Sequence, residues 1–282
     1  MNGVTERRFK PRFVKAQVGG LIFFLVEQDY IGAELRQKGV WEEHLYQATE
    51  ILLNERSNVL DLGANFGYHA LRLAQVCPLG QVYAFEPMNL CYSQLQMNIV
   101  ANKIRNVIAY KFAVTDKSGY PMAMSSLEEN VYDDDKINIG NSALGTGGDI
   151  CFSLRIDDLD LPRIDLIKMD IQGAEFLALK GMQGLIARDR PYFFIEIEEP
   201  HLLRFGTSSK EVIEHFFQLD YSLVRIRSQW PTDHVAVPNE KKDIVDRLVT
   251  RSGLATDVLS GTRISLDFDN PSYYSSYTVS DV

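Results

Sequence analysis

Residues 58–87 restrict the fold more than any other stretch of this chain. An apolar run, Val59-Leu60-Asp61-Leu62, enters the turn Gly63-Ala64-Asn65-Phe66-Gly67, and a helical pattern over 68–75 follows. A second apolar run at 81–86 ends in Glu86-Pro87. Strand, glycine turn, helix and strand in this order make a right-handed crossover, whose parallel strands are buried on both faces by helices.

The alternation continues downstream. Short apolar runs at 107–112, 164–169, 192–197, 222–226 and 234–237 predict further strands. With the first two they make seven, so the expected fold is α/β, a doubly wound, mostly parallel seven-stranded sheet. A chain of 282 residues suits one large α/β domain, and 45% hydrophobic residues supply its core.

Around that domain, taken as 57–238, the pattern weakens. Residues 1–56 read as an N-terminal preface or lid, with a strand-like run at 21–26 and then Trp41-Glu42-Glu43 leading into a helix that closes by Leu53. Residues 115–150 are rich in Gly, Ser, Asn and Asp and read as an acidic, mobile insertion. The segment 239–282 reads as a C-terminal extension, helical through Leu248, with a weakly ordered tail at 270–282.

A net charge of −9 opposes a polyanionic partner, so no nucleic acid is expected. The basic run Arg7, Arg8, Lys10, Arg12 and Lys15 reads as a solvated arm. Cys77, Cys91 and Cys151 are odd in number and widely spaced, which predicts reduced thiols and a cytoplasmic location. The run at 21–26 is too short for a membrane span of about 20 residues, so no membrane partner is expected either. The oligomeric state stays open, a homodimer included.

Glycines after the first strand let backbone amides and a helix N-terminus approach a ligand closely. The spacing here is Gly-x-x-x-Gly, not the Gly-x-Gly-x-x-Gly that seats a pyrophosphate, so a compact charged tail such as that of an amino acid fits better. Glu86 ends the second strand, where doubly wound folds bind a ribose, and one carboxylate accepts from both ribose hydroxyls.

These blocks resemble the class I methyltransferases that use S-adenosylmethionine (SAM), and more narrowly the FkbM family. The resemblance rests on VLDLGANFGYHALRLA at 59–74, VYAFEP at 82–87, AVTD at 113–116, IDDL at 156–159, DLIKMDIQGAEFLALKG at 165–181 and RPYFFIEIEE at 190–199. It implies SAM as cofactor and transfer of a methyl group to a hydroxyl of a small molecule, a sugar, glycoconjugate or polyketide-type acceptor. Asp61, Gly63, Ala64, Asn65 and Gly67 would hold the amino-acid portion and Glu86 with Pro87 the ribose side. Met88, Asn89, Phe112 and Ala113 would border the adenine. The family more often has Glu before Gly173, where this chain has Gln172.

An activated methyl group asks the enzyme mainly to align an oxygen and accept its proton. Asp170, at the tip of the fourth strand, is the candidate base or orienting group, and reads also as a helix N-cap. Glu196 and His201 near the fifth strand are further catalytic candidates, while Glu175 reads as a complement to a helix dipole. His69 reads as packed or hydrogen-bonded structure, and Trp41 as a core anchor or a cover for the site. No metal is expected. Two rivals remain open at this level: a nicotinamide-dependent sugar oxidoreductase or epimerase, disfavoured by the missing glycine fingerprint, and a catalytically silent module of the same fold.

Overall fold

The computed structural model describes residues 9–133, 136–226, 232–251 and 254–259 of the chain. It opens with a hairpin, β1 (Phe13–Val18) and β2 (Leu21–Val26), joined by Gly19-Gly20 at φ 57° and 79°. Two successive residues with positive φ form the tight turn whose twist matches that of the strands. Helices α1 (Tyr30–Lys38) and α2 (Glu43–Leu52) follow. The sequence pattern signals β2 and α2 but misses β1 and α1. β1 presents no buried face except at Val18, and α1 is set by its ends, with Asp29 accepting from the Gly32 amide at 2.9 Å and Gly39 closing it at φ 72°.

The crossover predicted from residues 58–87 is present as β3 (Val59–Leu62), α3 (Tyr68–Val76) and β4 (Val82–Phe85), continued by α4 (Asn89–Ala101) and β5 (Val107–Tyr110). Next come β6 (Phe112–Val114), β7 (Pro121–Ser125), β8 (Val131–Asp133), β9 (Lys136–Ile137) and β10 (Gly147–Leu154). The remainder is β11 (Leu166–Met169), α5 (Glu175–Lys180), α6 (Gln183–Asp189), β12 (Tyr192–Glu196), α7 (Glu199–Leu203), α8 (Ser209–Gln218), β13 (Tyr221–Ile226), β14 (Asp233–Pro238), α9 (Lys242–Thr250) and β15 (Ala255–Leu259).

The large sheet runs β15-β13-β14-β12-β11-β3-β4-β5, with β5 through β12 parallel and the three strands beyond antiparallel. It has eight strands, one more than expected, because β15 pairs with the free edge of β13. One face packs Val59, Leu71, Leu45 and Leu248 together, the other Leu60, Ile167, Leu179 and Ile213, so both faces are covered by helices. The chain leaves β3 toward β4 and β5, then returns to the opposite side for β11. The crevice above the carboxyl ends of β3 and β11 is therefore a topological switch point, where such sheets bind ligands.

The hairpin docks on α4 by an unusual means. Asn98 Oδ1 accepts from the Phe24 amide at 2.7 Å, Asn102 Oδ1 from the Ile22 amide at 2.7 Å, and Gln94 Nε2 donates to the Phe24 carbonyl at 3.1 Å. Three amide side chains at four-residue spacing thus satisfy the free edge of β2, as a partner strand would.

Residues 115–150 depart from expectation. They hold β7, β8, β9 and the start of β10, and β10 pairs with both β6 and β7 in a three-stranded sheet. Alternation builds it: Met124 and Cys151 face inward and are buried, while Ile150 and Phe152 face outward. The insertion is tied to the preface through Asp29, whose Oδ1 accepts from the Ile139 amide at 3.0 Å. Arg7, Arg8 and the tail at 270–282 lie outside the described residues. Among the described residues no helix is long and apolar enough to cross a membrane.

Candidate active site

Above the switch point lies a pocket open to solvent on one side. Its floor is the β3 turn, where Gly63 sits at φ 81° and a Cβ would meet the Asp170 carbonyl oxygen at 1.9 Å. Only glycine fits there, which lets the turn pack against the tip of β11, and residues 63–65 line the pocket. Glu86 stands beside it, 6% exposed, with Oε2 accepting from the Asn65 amide and Oε1 from the Met88 amide, each at 2.8 Å. Burial pushes its carboxyl up to about 7, against those two hydrogen bonds. Met88, Phe112, Ala113, Met124 and Leu144 supply an apolar wall. Ile31 and Trp41 of the preface and Ile139 of the insertion close the pocket from outside.

Beneath the turn is a buried charge cluster. Lys168, 2% exposed, places Nζ 3.6 Å from Asp61 Oδ1 and 3.6 Å from Asp170 Oδ2, and donates to the Gly63 carbonyl at 3.4 Å. Burial works to discharge this lysine, but Asp170, Asp61, Glu42 and Glu196 outweigh it and hold its pKa above the ordinary value. Burial also raises Asp61, against the Lys168 charge, and among the described residues no donor comes within hydrogen-bond distance of its oxygens. Glu42 joins from the preface at φ 48°, with Oε2 3.0 Å from His69 Nε2. Its burial is overcome by that contact and by the charges of His69, Lys168 and His44, so its pKa falls to about 2. His69 is held on its other nitrogen by Tyr46 Oη at 2.9 Å, in keeping with its reading as hydrogen-bonded structure. Trp41 packs edge-on against Tyr30 while facing the pocket.

The structure gathers Gly63, Ala64, Asn65, Glu86, Pro87, Met88, Phe112, Ala113 and Asp170 around one pocket. Five sequence candidates are placed elsewhere. Asn89 opens α4, its amide donating to Asp149 Oδ2 at 2.7 Å. Asp61 lies below the turn, fully buried behind Lys168. Gly67 begins α3 at φ 92°, which calls for glycine, and does not line the pocket. Glu196 does not line the pocket and reaches it only through Gln172, whose Nε2 donates to Oε2 at 3.3 Å. Burial, then the charges of Asp170 and Asp233, push its pKa well above the usual carboxyl range.

His201 is also outside, because α7 carries it over Gly173, where a Cβ would meet the His201 carbonyl oxygen at 2.2 Å. Its ring turns to Glu198, and burial followed by the Arg204 charge lowers its pKa to about 4. Asp170 does not cap α5, which begins after Ala174 without a side-chain cap. Glu175 does more than complement a dipole: its Oε1 accepts from the Ile171 and Gly173 amides at 3.0 and 3.2 Å, and burial raises it to about 7. Lys168 is the residue that sequence reasoning missed. A lysine inside the core strand Leu-Ile-Lys-Met, two before an Asp, was the available signal.

Residues 61–223, more than half of the chain, match the family model described as the methyltransferase FkbM domain. A curated relative, methyltransferase sdnD from Sordaria araneosa, is 25% identical over 237 residues, spanning 73% of this chain and 89% of that one. Among solved structures, the FkbM methyltransferase from Methylobacillus flagellatus KT is similar at 18% identity and a TM-score of 0.46, over 65% of this chain. The chain spans 44% of that protein's length. TYW2 from M. jannaschii, solved in complex with AdoMet, is similar at 16% identity and a TM-score of 0.41, over 80% of this chain and 84% of that one. The family match displaces the oxidoreductase reading, and this chain belongs to the FkbM family of methyltransferases.

Proposed function

We propose that the chain moves a methyl group from SAM to a hydroxyl oxygen of a small molecule, a sugar, glycoconjugate or polyketide-type acceptor, in the cytoplasm. The observation that carries this reading is Glu86, locked by the Asn65 and Met88 amides at 2.8 Å beside a turn that only Gly63 can make. Each oxygen accepts from one backbone amide and keeps a second acceptor site, so the carboxylate is preorganised to accept from the two hydroxyls of a ribose. The backbone of 63–65 would run along the amino-acid tail, with Met88, Phe112 and Ala113 against the adenine.

When bound, SAM supplies a methyl group already activated on a sulfonium, which leaves the protein alignment and proton acceptance. Asp170 is the group for both. Its side chain is 33% exposed, lines the pocket, and is held by Lys168 on Oδ2 and by Gln172 on Oδ1 at 2.7 Å. A carboxylate fixed at two points presents a defined edge to an incoming hydroxyl. Glu196, behind Gln172, supports that geometry from outside the pocket.

Calorimetry with SAM and S-adenosylhomocysteine, on the wild type and on Glu86→Ala, tests the reading. Expected is binding by the wild type, weakened at least about tenfold in the variant by loss of two charge-assisted hydrogen bonds. No binding to the folded wild type would remove the proposal.

A further inference from the structure

One buried carboxylate joins two segments that cover the pocket. Asp29 is 2% exposed: its Oδ2 accepts from the Gly32 amide at 2.9 Å, capping α1, and its Oδ1 accepts from the Ile139 amide of the insertion at 3.0 Å. Beside it the Ile137 amide donates to the Gln28 carbonyl at 3.1 Å. Ile31 and Gly140 both line the pocket and meet across this junction, where a Cβ on Gly140 would lie 2.7 Å from Ile31 Cδ1. Val26 of the preface and Ile137 and Ile139 of the insertion pack with Met88 and Cys91 in one buried cluster. Met88 gives its amide to Glu86, so the junction lies over the carboxylate assigned to the ribose. Burying a carboxylate is costly, and here its two oxygens are spent on the backbones of two segments that lie outside the central sheet.

We propose that Asp29 is the clasp of a cover that parts to admit the cofactor and closes over it, which makes Asp29 a positioning residue that sets how fast SAM and S-adenosylhomocysteine exchange. This rests on the SAM reading above and adds how that site is opened. The other walls do not part without loss of strand pairing. Gly63 to Asn65 and Glu86 follow β3 and β4, each paired on both sides within the central sheet, and Phe112 and Ala113 belong to β6, paired with β10. Separating the preface from the insertion breaks instead the Asp29–Ile139 and Gln28–Ile137 hydrogen bonds and the contact of Ile31 with Gly140. Glu86 is 6% exposed with the cover in place, so a nucleoside that reaches it passes this junction. A clasp changes binding and release together, whereas a residue that touches the ligand changes mainly release and hence affinity.

Exchange kinetics on the full chain test this. Release of tritiated S-adenosylhomocysteine chased with unlabelled ligand gives koff, stopped-flow mixing gives kon, and calorimetry gives Kd. Asn caps a helix as well as Asp does, so Asp29→Asn keeps α1 while the Ile139 amide loses its acceptor, and koff should rise about tenfold. The double variant Ile31→Cys with Gly140→Cys reads the opposite change, since a Cβ at 140 lies close enough to residue 31 for a disulfide. Oxidised, with the bond between 31 and 140 verified by peptide mapping, it should bind and release ligand at least about tenfold more slowly than when reduced, with Kd kept within about twofold. Equal exchange in the oxidised and reduced forms, a disulfide that does not form, or an unchanged koff in folded Asp29→Asn would each overturn the inference. Should Asp29→Asn fail to fold, the disulfide comparison decides. Binding with unaltered exchange removes the clasp alone, whereas no binding of either ligand by the folded wild type removes the proposed function.

Discussion

Lys168 and Asp61 stand directly opposite each other in the register of two adjacent parallel strands, with Nζ 3.6 Å from Oδ1 and neither side chain more than 2% exposed. The pair lies under the Gly63 turn and extends through Asp170 to the pocket. Its charge balance is therefore part of the fold and of the site at once.

Replacing Lys168 by Met should leave Asp61 and Asp170 without their buried cation. Breaking a buried pair from one side costs about 3–5 kcal/mol. Urea denaturation at pH 7 measures it, and a loss below about 1 kcal/mol, the value of a surface pair, would contradict the structure.

Binding of SAM should depend on pH through Glu86. With its pKa raised by burial to about 7, the unliganded carboxyl is increasingly protonated as pH falls below that value, while ribose hydroxyls need the carboxylate as acceptor. Affinity should be level above pH 8 and then fall toward a slope of about tenfold per pH unit, with a proton released on binding. Calorimetry across buffers of different ionisation enthalpy reads that proton, and Glu86→Gln should flatten the profile.

Glu175 gives the opposite experiment, on stability. Its folded pKa of about 7 exceeds the ordinary 4.5, so its contribution is complete below pH 4.5 and is lost as pH rises through 7. Glu175→Gln keeps an oxygen for the Ile171 and Gly173 amides but never ionises. The variant should match the wild type near pH 4.5 and exceed it by up to about 3 kcal/mol at pH 8. Thermal melts at both values decide, and identical pH dependence would sink the assignment.

Asn98 links the hairpin to the glycine turn, accepting from the Phe24 amide at 2.7 Å and donating to the Phe66 carbonyl at 2.8 Å. Asn98→Ala orphans both groups, at about 1–3 kcal/mol each. Hydrogen exchange should show β2 losing protection more than the central strands do; uniform loss across the molecule would mean that the hairpin is not separately latched.

Chain-local information was enough for the crossover, the Gly63 turn and the tip of β4. Each is written in consecutive residues: apolar runs of strand length, a glycine directly after the first of them, and a carboxylate as the next strand ends. The parallel sheet followed, because short strands separated by helical stretches have few other ways to bury both faces. Gly67 shows the limit of that logic. It belongs to the same motif as Gly63, yet it does not line the pocket, and its φ of 92° at the start of α3 is what calls for glycine.

What lay beyond the sequence are pairings between distant segments. Nothing in residues 115–150 states that β10 will find β6, and nothing in Leu-Ile-Lys-Met states that Lys168 will face Asp61, since a shift of one residue in register would turn it to the other face. Likewise His201, a catalytic candidate by its place after the fifth strand, is turned by α7 toward Glu198. Burial, charge balance and the bond between Asp29 and Ile139 arise only when separate strands and the preface converge, because electrostatic environment is a property of the assembled neighbours and not of the order in which they are joined.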